Sequence, residues 1–162
     1  MVRLVRLVRL LPRLILALVF VAVAYYGIND VLLDGCDTEL CCEDCDELAV
    51  SRVIDGDTFV SDGGRIRNYG IDAPEVGQRC AGEATARLRG LAGDTVRVQR
   101  GPRSRDQYGR LLYYVYTESG ESIDETLIQE GLAVAWTRDG QHRDYLVGLE
   151  TQARRDGTGC LW

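Results

Sequence analysis

Lysine is absent. All 19 basic residues of the 162-residue chain are arginines, whose planar fork grips phosphate in two-pronged fashion and never gives up its charge. Biased codon usage produces the same composition, as does an acidic, salt-adapted source, so the missing lysines decide nothing alone. Histidine is nearly absent too. The single one, His142, opens an expected surface helix, and one imidazole leaves serine–histidine and cysteine–histidine catalysis without support. No internal repeat is present. With 46% apolar residues, the composition is that of a globular chain and not of a disordered one.

The formal charge of −6 argues against a partner that is a polyanion, but the average misleads. Residues 34–47, "DGCDTELCCEDCDE", hold seven acids and no base. From Leu48 onward, 17 acids face 15 arginines, so the remainder is nearly neutral. Its arginines are bunched: Arg97, Arg100, Arg103, Arg105 and Arg110 fall within 14 residues.

At the N-terminus, "MVRLVRLVRLLPR" places four arginines ahead of "LILALVFVAVAYYGI", fifteen uncharged residues. This pattern belongs to a signal peptide or a signal anchor, with Ala22-Val23-Ala24 as a small-x-small cleavage site. Counted back to Leu10 the run reaches nineteen residues, broken only by Pro12 and Arg13, close to the ~20 that span a bilayer. Either way the arginines stay inside and the rest is exported. The expected location is extracytoplasmic, anchored in the membrane or released after cleavage near Ala24.

Export makes thiols tend to pair. A bridge between Cys80 and Cys160, far apart in sequence, would tie down the last helix. The other four, Cys36-x4-Cys41-Cys42-x2-Cys45, suit two local disulfides or a zinc or iron–sulfur centre. Three segments follow: a signal or anchor at 1–28, an acidic cysteine-rich linker at 29–47, and a domain at 48–162.

Within the domain, strands are expected at 48–54, 58–61 and 64–72, separated by "DGD" and "SDGG" turns. A helix over 82–91 puts Ala84, Leu88 and Leu91 on one face. Strands over 94–100 and 111–117 come next. Ser122 and Glu125 form a capping box before a short helix that Gly131 stops, and a last helix runs over 142–155. Five strands with a helix after the third predict an α+β chain: an OB-fold five-stranded barrel with about three helices, preceded by the N-terminal hydrophobic helix.

The polar residues sit at strand ends. "VIDGDTF" and "IDAPE" each read as a turn. They also read as a site: Asp57, Asp72 and the Ala73 carbonyl are oxygen donors of the kind calcium takes, and Pro74 sets Glu75 aside as a base. "RSRDQYGR" is a hairpin with a basic flank, or a place where Arg110 and Tyr108 meet a phosphate. With Arg67 this makes two guanidinium groups and a cation around one phosphodiester, the equipment of phosphoryl transfer.

In order, "VIDGDTF", "IRNYGIDAPE", "GEATARLRGL", "DQYGRLLYYVY" and "SIDETLIQEGLA" resemble the staphylococcal nuclease (thermonuclease) family, from about Val50 to Trp162. The resemblance implies an OB-fold nuclease that uses Ca2+, acts on DNA and RNA, and leaves 3′-phosphates. It implies calcium ligands at Asp57, Asp72 and the Ala73 carbonyl, a general base at Glu75, transition-state arginines at Arg67 and Arg110, and a phosphate contact at Tyr108. Trp136 falls about where an aromatic stacks on a base. Departures are modest: Ala73 stands for a threonine, Gln107 for a basic residue on the terminal phosphate, and the loop after Glu75 is short. The rival expectation is an OB barrel that binds single-stranded nucleic acid on Tyr113, Tyr114 and Tyr116 without cutting it.

Overall fold

The computed structural model describes residues 36, 38–42 and 44–162; the hydrophobic segment expected at 1–28 lies outside them. Among the described residues no helix is long and apolar enough to cross a membrane.

The strands β1 (Asp46–Val53), β2 (Thr58–Ser61) and β3 (Gly64–Asn68) come first, then the short β4 (Ile71–Asp72). Helix α1 (Ala81–Ala92) separates them from β5 (Thr95–Arg105) and β6 (Leu111–Tyr116). Helix α2 (Ile123–Gln129), the two-residue β7 (Val134–Ala135) and α3 (Arg143–Asp156) complete the chain. Strands β1, β2, β3, β6 and β5 close into a barrel in that order. All neighbours are antiparallel except β3 and β6, which run parallel. This is the five-stranded OB-type barrel with three helices that the strand spacing predicts. Its interior is filled by Phe59, Ile66, Val96 and Val115, and α1 and α3 close the core with Leu88 and Leu146.

The strand expected over 64–72 is broken. Tyr69 and Gly70 leave the barrel, and Ile71–Asp72 pairs with β7 instead. The cause is tertiary: a Cβ at Gly70 would lie 2.6 Å from Leu146 Cδ1 and 2.8 Å from Asp124 Oδ2, so only glycine lets the chain pass beneath α2 and α3. The break carries Asp72 out of the barrel wall.

The capping box is half formed. Ser122 Oγ accepts the Glu125 N–H at 3.2 Å, but the Glu125 carboxylate does not return to Ser122. It accepts the N–H groups of Glu39 (3.1 Å) and Leu40 (2.9 Å), while Thr38 Oγ1 accepts the Ser122 N–H at 2.9 Å. The cysteine-rich segment thus supplies caps to α2 and takes the carboxylate in exchange. Its cysteines form Cys36–Cys41 and Cys42–Cys45 disulfides. A third disulfide joins Cys80, the N-cap of α1, to Cys160 beyond α3.

Candidate active site

Asp57 stands in the turn between β1 and β2. The turn fits because residue 56 is glycine: a Cβ there would meet the Ala73 and Ala84 methyls at 2.7 Å. That close approach brings Asp57 against the chain after β4, where its Oδ2 accepts the Ala73 N–H at 2.9 Å. Thr58 donates to Oδ1 at 2.9 Å. Burial lifts the Asp57 carboxyl above its usual range, only partly opposed by Arg67.

Arg67, on β3, is the centre of the arrangement. Its Nη1 donates to the carbonyls of Asn68 (2.7 Å) and Ile71 (2.8 Å). Its Nη2 reaches Asp72 Oδ1 at 2.6 Å and Asp57 Oδ2 at 3.4 Å. Two carboxylates, one from the β1–β2 turn and one from β4, therefore converge on one guanidinium nitrogen. They differ in access, since the Asp57 side chain is 10% exposed and that of Asp72 53%.

These groups suit a hard cation. Asp57 is a buried anion whose burial is incompletely offset, and Asp72 faces solvent beside it. Both donors are oxygens, with the Ala73 carbonyl next in the chain, the chemistry that calcium takes. Among the described residues no group of three or more acidic, histidine or cysteine side chains is placed to hold a metal ion, so such a cation would complete its shell with carbonyl, water and ligand oxygens.

Opposite in sequence, the β5–β6 connection delivers Arg110. Its Nε donates to Asp106 Oδ2 at 2.6 Å and its N–H to Asp106 Oδ1 at 2.9 Å. Nη1 reaches Thr58 Oγ1 at 3.3 Å. Burial would raise Asp106, but the Arg110 side chain and the N–H groups of Arg110 and Tyr108 outweigh it and hold the carboxyl below its ordinary value. Arg110 is thereby fixed from behind with part of its fork left for a ligand. Tyr108, 76% exposed, stands at the lip with Arg110 5.6 Å from its ring centroid.

One cleft of about 420 Å³ gathers Arg67, Asp72, Glu75, Tyr108, Arg110 and Trp136. Asp57 and Ala73 do not line it: both are buried, and Asp57 connects to the cleft only through its ion pair with Arg67. Glu75 is exposed, and its carboxylate has neither an ion-pair nor a hydrogen-bond partner among the described residues. Unlike the other acids of the site, it is held by no side-chain or backbone donor among the described residues.

Several cleft residues were not legible in advance. Asp106 could have been found from its i,i+4 spacing to Arg110. Arg103, one of the bunched arginines, lines the cleft too, as do Arg138 and Asp139, which no local pattern marks. Of its four arginines only Arg138 lacks a carboxylate partner among the described residues. The aromatic groove expected of a pure binder is not formed. Tyr114 and Tyr116 are each 2% exposed, because both faces of the end of β6 are covered: Val115, between them on the opposite face, is fully buried as well. His142 caps α3, stacked edge-on against Tyr114 at 4.6 Å.

Residues 65–162 match the family described as staphylococcal nuclease homologue. An endonuclease of Escherichia coli O157:H7 is 38% identical over 119 residues, spanning 70% of this chain and 74% of that protein. The micrococcal nuclease of Shigella flexneri is 36% identical over 128 residues, spanning 70% and 71%. The thermonuclease of Staphylococcus intermedius is 35% identical over 97 residues, spanning 53% and 57%.

Proposed function

The chain belongs to the staphylococcal nuclease family and is a nuclease, and from that premise we propose that it hydrolyses phosphodiester bonds of DNA and RNA in a calcium-dependent reaction that leaves 3′-phosphates. The observation that carries this reading is the meeting on one cleft of Arg67, Arg110 and Glu75, whose carboxylate is unpartnered among the described residues.

Asp57, Asp72 and the Ala73 carbonyl would hold the calcium, which supplies Lewis-acid stabilisation of charge on the phosphoryl oxygens. Glu75 takes a proton from a water at the cleft, and the water oxygen bonds to phosphorus as the P–O5′ bond breaks. The leaving 5′ oxygen takes up a proton and the phosphate stays on the 3′ side. Arg67 and Arg110 face the charge that builds on the equatorial oxygens, and both are held in advance by Asp72 and Asp106. Tyr108 offers a hydroxyl to another phosphate oxygen. Trp136 presents a ring to a base, and Arg138 supplies a cation where Gln107 supplies none.

The arginine-led, apolar N-terminus and the three disulfides support an extracytoplasmic site of action, membrane-anchored or released. The test is to incubate the full-length, oxidised protein with single-stranded DNA in calcium and then in EDTA. Cleavage that requires calcium and leaves 3′-phosphate ends supports the proposal. Tight binding without cleavage in either condition favours the non-catalytic OB-fold reader.

A further inference from the structure

Beyond the residues that face the phosphate, the cleft contains a cross-connection that the proposed reaction does not use. Arg103, on the outer part of β5, donates to Asp139 in the β7–α3 loop through Nε (2.5 Å) and Nη2 (3.1 Å). This two-pronged pair joins elements 36 residues apart in sequence. Asp139 Oδ1 also accepts the indole N–H of Trp136 at 2.7 Å. Arg103 in turn lies 5.4 Å from the ring centroid of the buried Tyr69, which gives the clasp a fixed base. Arg103 above all, and then the Trp136 indole, hold the Asp139 carboxyl down to about 2, so the clasp keeps its charge throughout the neutral range.

We propose that Asp139 and Arg103 are positioning residues that pin the edge of Trp136 and leave only its ring face to the substrate. The physical reason lies in what the indole has left. Its one donor is consumed by Asp139, and an indole has no acceptor. A base arriving at Trp136 therefore meets a ring with no hydrogen-bonding edge, and it stacks beside the guanidinium groups of Arg138 and Arg67, which stand 5.0 and 5.7 Å from the ring centroid. Stacking on a face is tolerant of base identity, so this subsite discriminates base from no base and not one base from another. A ring whose orientation is fixed before binding loses less rotamer freedom when the base arrives. The clasp acts on substrate affinity and not on the proton transfer at Glu75. The inference rests on the phosphodiesterase reading above.

The experiment compares a short oligothymidylate with an all-abasic strand of the same length, in calcium, using the full-length protein. Wild type is expected to show a KM on the order of tenfold lower for the oligothymidylate, in keeping with one base–aromatic stack, with kcat little changed. W136A defines the ratio without a platform. D139A and the milder R103Q are expected to collapse the ratio toward that of W136A, with the loss in KM and not in kcat. Thermal melts of each variant separate a lost clasp from a lost fold. Wild-type ratios in both D139A and R103Q, with Trp136 needed, would overturn the positioning role. Failure of wild type to cut either strand would instead overturn the phosphodiesterase reading beneath it.

Discussion

Arg67 Nη2 lies 2.6 Å from Asp72 Oδ1, although Arg67 belongs to the barrel strand β3 and Asp72 to β4, outside the barrel. The same nitrogen lies 3.4 Å from Asp57. One guanidinium thus stands between two carboxylates that carry the proposed calcium. Removing the buried member should affect the cation most, because Asp72 is half exposed and water can replace it. Asp57→Asn is expected to raise the calcium concentration needed for half-maximal cleavage by at least about tenfold, the scale on which lost charged contacts act. A calcium titration of activity measures it, and an unchanged midpoint would remove Asp57 from the ligand set.

Arg110 is held by Asp106 through both its backbone N–H and its Nε. Asp106→Asn keeps the shape but loses the charge that fixes the fork. Cleavage rate at saturating substrate is expected to fall by about ten- to a hundredfold, with the fold intact by circular dichroism, as for a lost transition-state contact. An effect confined to KM would contradict this role.

Asp124 is fully buried under the Gly70 turn, where its Oδ2 accepts the Gly70 N–H at 3.3 Å. Burial pushes its carboxyl up to about 7, offset only in part by neighbouring Asn68, Gly70 and Arg67. The unfolded chain releases this proton near 3.8, so between those values the folded state binds a proton that the unfolded state lacks. Stability from this group is present in acid and is lost as pH rises toward neutrality. Asp124→Asn, which mimics the protonated acid, should therefore gain on wild type as pH rises. The difference in melting temperature between variant and wild type, followed from acid to neutral pH, should grow, and a flat difference would contradict the assignment.

Among the described residues Arg138 has no carboxylate partner to release before it meets a phosphate. Arg138→Gln should weaken binding to strands of any sequence and lower the slope of log K against log salt by about one. Affinities measured across a salt series report it; an unchanged slope would place Arg138 outside the phosphate path.

Much of this molecule was legible in its sequence, for identifiable reasons. The "DGD" and "SDGG" turns delimit β1, β2 and β3 because the residues that permit tight turns are few. Asp57, Asp72, Glu75 and Arg110 stood out because each lies at a strand end beside a turn residue. What could not be read depends on contacts distant in the chain. The break at Gly70 is imposed by Leu146 and Asp124, far along the sequence. Strand β7 is too short for a periodic signal, and the Arg103–Asp139 clasp joins segments with no shared pattern. Glu125 was expected to close its own helix cap and instead serves the cysteine-rich segment.

Glu75 lines the cleft and is unpartnered among the described residues, and the phosphodiesterase reading depends on its taking the proton from water. The most direct measurement is to set Glu75→Gln beside wild type, recording affinity for a single-stranded oligonucleotide in calcium and the rate of its cleavage. Affinity within about twofold of wild type with cleavage lower by a factor of about a hundred to ten thousand is the result expected for a lost general base. Cleavage at the wild-type rate would show that Glu75 does not move the proton, and the mechanism proposed for this cleft would be wrong.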